Sequence, residues 1–146
     1  MGTYCALIGD KFNRLFEPKD QCCITYDYES REIEDVIGKA VKSAGLEPII
    51  SKHIKLGEST GLYCTTICES IKSSKICITD ISEENTNVGL KIGIAWRYGK
   101  PVILTRDKTK KSDISAFTRV NYQDANELET ELTRKIQDVE NGVFGL

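Results

Sequence analysis

The chain has 146 residues, of which 40% are hydrophobic and 29% charged, with a formal net charge of −2. That length suffices for one domain with a sizeable core, and the balance, without any basic stretch, offers nucleic acid no electrostatic footing. No apolar run approaches the roughly 18 residues of a membrane-spanning helix, and Asp10 and Lys11 interrupt the N-terminal apolar run too soon for a secretory signal, so a cytoplasmic location is the expectation.

Thr3 to Ile8 reads as a first buried strand, broken by Gly9-Asp10-Lys11-Phe12. A small residue at the mouth of a strand lets a ligand approach the backbone, although a plain strand-to-loop turn explains the same residues. Asn13 to Asp27 has no clean period and reads as a long loop, either a binding loop or an inert excursion. Within it, Cys22 to Tyr26 is apolar enough to pack down or form a short strand.

Ser30 to Ala44 carries Ile33, Val36, Ile37, Ala40 and Val41 at helical spacing, with Gly45 as its stop. Leu46 to Ile50 is the second strand, Ser51 to Gly61 a polar connection, and Leu62 to Ser73 a second helix. Ile76-Cys77-Ile78 is a short apolar run that ends at Asp80, as a buried parallel strand would. Ser82 to Asn87 is too polar to continue a sheet. Val88, Ile92, Ala95 and Trp96 then fall at helical spacing, with Asn87 as the N-cap, until Gly99-Lys100-Pro101 stops the helix. Val102-Ile103-Leu104 is the next strand, Arg106 to Ser112 a solvated loop, Arg119 to Tyr122 a short edge strand, and Glu127 to Val139 a final amphipathic helix.

Regular alternation of strands and helices predicts a single doubly wound α/β domain over residues 1–146, Rossmann-like or flavodoxin-like, with a mostly parallel five-stranded sheet in the order 2-1-3-4-5. Ligands bind such sheets outside the carboxyl ends of the strands, at the point where strand order reverses. The loop from Asp80 to Asn87 leaves that edge.

Of the six cysteines, Cys5 and Cys77 sit in apolar runs, Cys64 and Cys68 share a helix face, and Cys22 and Cys23 are neighbours in the long loop. There is no C-x-x-C, and His53 is the only histidine. The spacing predicts neither a metal site nor an intrachain disulfide.

The central block resembles the nucleoside 2-deoxyribosyltransferase-like and TIR-like superfamily. Its pattern, D-[IL]-[ST]-x-x-N-x-N-V-x-Y-E-L-G-x-A followed by G-K-P-V-I-L, stands here as Asp80-Ile81-Ser82, Asn85-Thr86-Asn87-Val88, Gly93-Ile94-Ala95 and Gly99-Lys100-Pro101-Val102-Ile103-Leu104. The resemblance implies ligand contacts from Gly9, Asp10, Lys11, Phe12, Asp80, Ser82, Asn85, Asn87 and Lys91, with no metal and no cofactor. Asp80 resembles the family's acid that contacts sugar hydroxyls; a loop-ordering acid is the other reading of the same residue.

One departure is chemical. Family members that cleave N-glycosidic bonds use the glutamate of Y-E-L-G against an oxocarbenium-like centre. Here that position is Lys91, preceded by Leu90. An ammonium cannot act as the carboxyl nucleophile and repels a developing cation. As an isolated charged residue on a helix, Lys91 reads either as an anion contact or as a solvent-exposed position. The expected function is a nucleoside- or nucleotide-like ligand-binding or sensing domain without glycosidic cleavage. The alternatives are an N-glycosidic-bond enzyme using a displaced acid (Asp80, Glu83 or Glu84) and a scaffold that dimerises through the Val88–Tyr98 helix. A homo-oligomer is the expected assembly.

Overall fold

The computed structural model of the chain describes residues 19–25, 31–50, 70–82, 86–109 and 119–142. In chain order these form β1 (Lys19–Thr25), α1 (Arg31–Ser43), β2 (Glu47–Ile50), β3 (Ser74–Asp80), α2 (Thr86–Arg97), β4 (Val102–Asp107), β5 (Arg119–Tyr122) and α3 (Ala125–Glu140). Residues 70–73 are helical and run directly into β3. The strands make one five-stranded sheet in the order β2-β1-β3-β4-β5, and each neighbouring pair is parallel. The predicted doubly wound fold and strand order are therefore present.

The strand that fills first place differs from expectation. β1 is Lys19–Thr25, within the stretch read from sequence as a loop, and it pairs with both β2 and β3. Cys22 and Cys23 are thus residues of a central strand. The assignment of first place to Thr3–Ile8 is corrected; Thr3–Ile8 itself lies outside the described residues. The physical reason lies in the burial gradient along β1. Its first residues, Lys19 and Asp20, are exposed and look like loop, while Cys22, Cys23, Ile24 and Thr25 are buried on both faces of the sheet. A strand covered on both sides needs a continuous apolar run rather than alternation, and four residues suffice.

Alternation along the strands divides the core into two layers. Cys22, Ile24, Ile76, Ile78, Ile103, Val120 and Tyr122 face α1 and α3, meeting Ile37, Ala40, Val41, Leu128, Leu132 and Ile136. Cys23, Cys77, Val102 and Leu104 face the other way, against Ile71, Val88, Ile92 and Ala95 of the helical turn at 70–73 and of α2. Period two in the strands meets period 3.6 in the helices, so each helix lays one stripe on the sheet.

The helix stops follow their local chemistry. Gly45 and Gly99 take positive φ, 84° and 67°, which ends α1 and α2 in a left-handed residue without a Cβ penalty. Gly99 donates its N–H to Trp96 O at 2.9 Å and Lys100 donates to Ala95 O at 3.0 Å, which satisfies two of the carbonyls left over at the end of α2. Two further boundaries move: β4 continues two residues beyond Thr105, to Asp107, into the lysine-rich run read as loop, and α2 begins at Thr86. Asn87 therefore lies inside the first turn of α2, where the expectation had it at the position before the helix.

At the start of α3, Asp124 adopts extended φ and ψ and its Oδ1 accepts the Glu127 N–H at 2.8 Å, while Glu127 Oε2 accepts the Gln123 N–H at 3.0 Å. This reciprocal arrangement is a close variant of the capping box. Replacing Asp124 by Ala leaves an orphan N–H and is expected to lower unfolding free energy by about 1 kcal/mol in urea titration. An unchanged midpoint would show that water replaces the cap without cost.

Candidate functional site

The carboxyl ends of β1, β3, β4 and β5 lie side by side, because all strands run the same way. Thr25, Asp80, Asp107 and Tyr122 are their last residues. Alternation sends these side chains to opposite faces. Thr79 pairs with Thr25 in the register and falls on the α2 side, and the two hydroxyls hydrogen-bond at 2.7 Å. Asp80 falls on the α1/α3 side.

Asp80 is fully buried. Its Oδ1 accepts the Ser82 N–H at 2.9 Å, which closes the chain into a tight turn directly after the strand. Its Oδ2 accepts the Thr105 hydroxyl at 2.7 Å and the Tyr122 hydroxyl at 3.0 Å. The carboxylate thus ties the ends of three neighbouring strands and the first turn of the loop. A buried carboxylate with three donors in place has its desolvation cost offset by charge-assisted hydrogen bonds. Ser82 extends the cluster: its Oγ accepts the Asp107 N–H at 2.9 Å and shares a hydrogen bond with Tyr122 Oη at 3.3 Å. Asp107 in turn accepts from Thr109 N and Thr109 Oγ1, at 2.9 and 2.8 Å.

Lys91 is 2% exposed, among the largest fully buried side chains of the described residues. Its expected alternative as a solvent-exposed helix residue is corrected. The cause is angular: at 100° per residue, Lys91 falls on the stripe of α2 that carries Val88, Ile92 and Ala95 toward the sheet. It therefore faces the same layer of the core as the Thr25–Thr79 pair. The outward side of the same helix carries Gly89, Gly93, Trp96 and Arg97, with Trp96 43% exposed.

The structure brings together Asp80 and Ser82, and turns Lys91 toward the opposite layer of the core. Gly9, Asp10, Lys11, Phe12, Glu83, Glu84 and Asn85 lie outside the described residues, as do Cys5, Cys64, Cys68 and His53. Four residues of the edge were not singled out from sequence: Thr25, Thr79, Thr105 and Tyr122. The available signal was a hydroxyl residue closing an apolar strand, as in Ile24-Thr25 and Leu104-Thr105. No helix of the described residues is long and apolar enough to cross a membrane.

No protein-family model matches the chain, and no curated protein matches it.

The Asp80 cluster leads to a stability test. Tyr122→Phe deletes one of three donors and is expected to cost about 1 kcal/mol, whereas Asp80→Ala strands the Ser82 N–H and two hydroxyls and should cost roughly 2–4 kcal/mol. Urea unfolding of both variants measures the difference. Equal, small losses would mean that the carboxylate does not organise the edge.

Proposed function

We propose that this domain binds a nucleoside- or nucleotide-like anion at the carboxyl edge of its sheet and does not cleave a glycosidic bond. The observation that carries this reading is Lys91. A cation stands, buried, on the sheet-facing stripe of α2, at the position where the resembling superfamily places its catalytic glutamate. A carboxylate there would stabilise an oxocarbenium-like centre; an ammonium opposes it and favours a phosphate or carboxylate instead.

Asp80 supports the same reading from the other side. A displaced acid must be able to meet the anomeric carbon. Asp80 is fully buried, and its two oxygens already accept from Ser82, Thr105 and Tyr122. Taking it for chemistry would break the strand-end tie. On the α2 side of the same strand ends lie the Thr25 and Thr79 hydroxyls, buried and hydrogen-bonded to each other at 2.7 Å. The proposed ligand sits where the order of an open α/β sheet reverses, here between β1 and β3.

Two measurements test the proposal together. Thermal unfolding with deoxynucleosides, nucleoside monophosphates and NAD should reveal at least one ligand that stabilises the fold, by about 2.7 kcal/mol at 100 times its dissociation constant. The same mixtures, with an acceptor base added, should show no turnover that scales with protein. Lys91→Met keeps length and removes charge; the stabilising ligand should bind it roughly tenfold or more weakly, as loss of a charged contact of about 1.5 kcal/mol implies. Protein-dependent cleavage would replace this reading with the enzymatic one. Absence of stabilisation by every compound would leave a scaffold.

A further inference from the structure

The far end of α3 carries a residue pair in which anion binding has no part. Asn141 is followed by Gly142, and this is the one Asn-Gly pair in the sequence. The other asparagines, Asn13, Asn85, Asn87, Asn121 and Asn126, are followed by Arg14, Thr86, Val88, Tyr122 and Glu127, each of which has a side chain. Asn141 and Gly142 are both exposed. Gly142 has no Cβ to shield its backbone nitrogen, and among the described residues nothing lies within 4 Å of where one would stand. A backbone nitrogen free of steric cover thus follows directly on a side-chain amide, the arrangement from which a five-membered imide ring closes.

The helix end holds the two reacting atoms apart. Asn141 is the C-cap of α3, with φ −86° and ψ 8°. At that ψ the Gly142 nitrogen is turned away from the Asn141 side chain, whereas ring closure needs the nitrogen and Cβ on the same side of the Cα–C bond. The Gly142 N–H is also engaged: it donates to Val139 O at 3.0 Å, while the Asn141 N–H donates to Gln137 O and Asp138 O at 3.0 and 3.1 Å. Gly142 itself, at φ 78°, is the left-handed stop. Ring closure therefore waits for the last turn of α3 to open. Helix ends open at small free-energy cost, and here Asp138 and Glu140 stand at the negative end of the helix with no basic residue in the last turn to offset them.

We propose that Asn141-Gly142 is a self-modification site, which deamidates through a succinimide at a rate set by the opening of α3. The Gly142 nitrogen attacks Asn141 Cγ. Its proton passes through solvent to the Asn141 amide nitrogen, the Cγ–Nδ2 bond breaks, and ammonia leaves. Water then opens the ring at either carbonyl. Cleavage between the Gly142 nitrogen and Cγ gives aspartate at position 141. Cleavage between the Gly142 nitrogen and the main-chain carbonyl carbon of residue 141 gives isoaspartate, in which the chain runs on through Cγ. Water is the one co-reactant, and no atom changes oxidation state.

Both products place a new carboxylate at the end of α3 beside Asp138 and Glu140, where the helix dipole already disfavours negative charge. Isoaspartate also lengthens the main chain by one carbon, which moves the Gly142 N–H out of register with Val139 O. Val139 is buried in the core that α3 shares with the sheet. Each event therefore loosens the helix end that delays the reaction.

The test ages the full chain at mildly alkaline pH, in buffer and in parallel in concentrated urea. Peptide mapping by mass spectrometry, with electron-transfer fragmentation, separates aspartate from isoaspartate. Acid is expected at position 141 before any other asparagine, with isoaspartate in excess, in both samples and faster in urea. Gly142→Ala should lose this conversion in urea, where strain at the helix stop has no influence. The aged protein in buffer should show faster amide exchange at residues 141 and 142 than the fresh protein. Conversion at another asparagine first, no acid at 141 in buffer when the urea sample is fully converted, or undiminished conversion of Gly142→Ala in urea would overturn the site. Rates in buffer equal to or above those in urea, or unchanged exchange after ageing, would overturn control by the helix end.

Discussion

A single buried carboxylate fixes the edge on which the functional reading depends. Asp80 closes the most central apolar run of the sheet, and its oxygens accept from the loop it begins and from the two strands beyond. A parallel sheet has no hairpins to hold its carboxyl ends together, since each crossover leaves through a helix. Side chains must do that work. The Thr25–Thr79 hydrogen bond does it between β1 and β3, Asp80 does it for β3, β4 and β5, and Arg106 Nε donates to Asn121 Oδ1 at 3.1 Å between β4 and β5. The edge is a cross-linked rim, with hydrophobic layers above and below it.

This explains why an acid at the strand end and a cation on α2 divide the labour as they do. Asp80 is spent on architecture. Lys91 brings charge into the α2 layer, where an exposed lysine would have cost nothing. Buried ammonium groups are expensive to desolvate and are found with partners or in sites. Its placement on the sheet-facing stripe is what the proposed anion-binding reading rests on.

Much of this was legible in the residues. The block from Ile76 to Leu104 announces strand, loop, helix and strand through apolar runs and Gly-Pro punctuation, and both Gly99 and Gly45 stop their helices as their position implies. The central strand β1 was not legible, because Lys19-Asp20-Gln21 reads as loop and a longer apolar run, Thr3–Ile8, competes for first place. Asp80's role was only half legible. Its own turn is local, but Thr105 and Tyr122 reach it from 25 and 42 positions away, and no periodicity reports such a meeting. The solvent-exposed alternative for Lys91 failed for a general reason: composition assigns lysine to the surface, while helical phase places this one inward. Phase is the better guide when the neighbours on the stripe, Val88, Ile92 and Ala95, are apolar.

The most direct measurement of the Asp80 rim is native-state amide hydrogen exchange at Ser82 and Asp107. Both amides lie at the strand ends, where solvent would ordinarily exchange them quickly, and both donate to side chains of the rim, to Asp80 Oδ1 and Ser82 Oγ. The account predicts protection approaching that of the β3 and β4 core amides, since opening either requires breaking the shared cluster. Exchange of Ser82 and Asp107 at the rate of exposed loop amides, with β3 and β4 still protected, would contradict it.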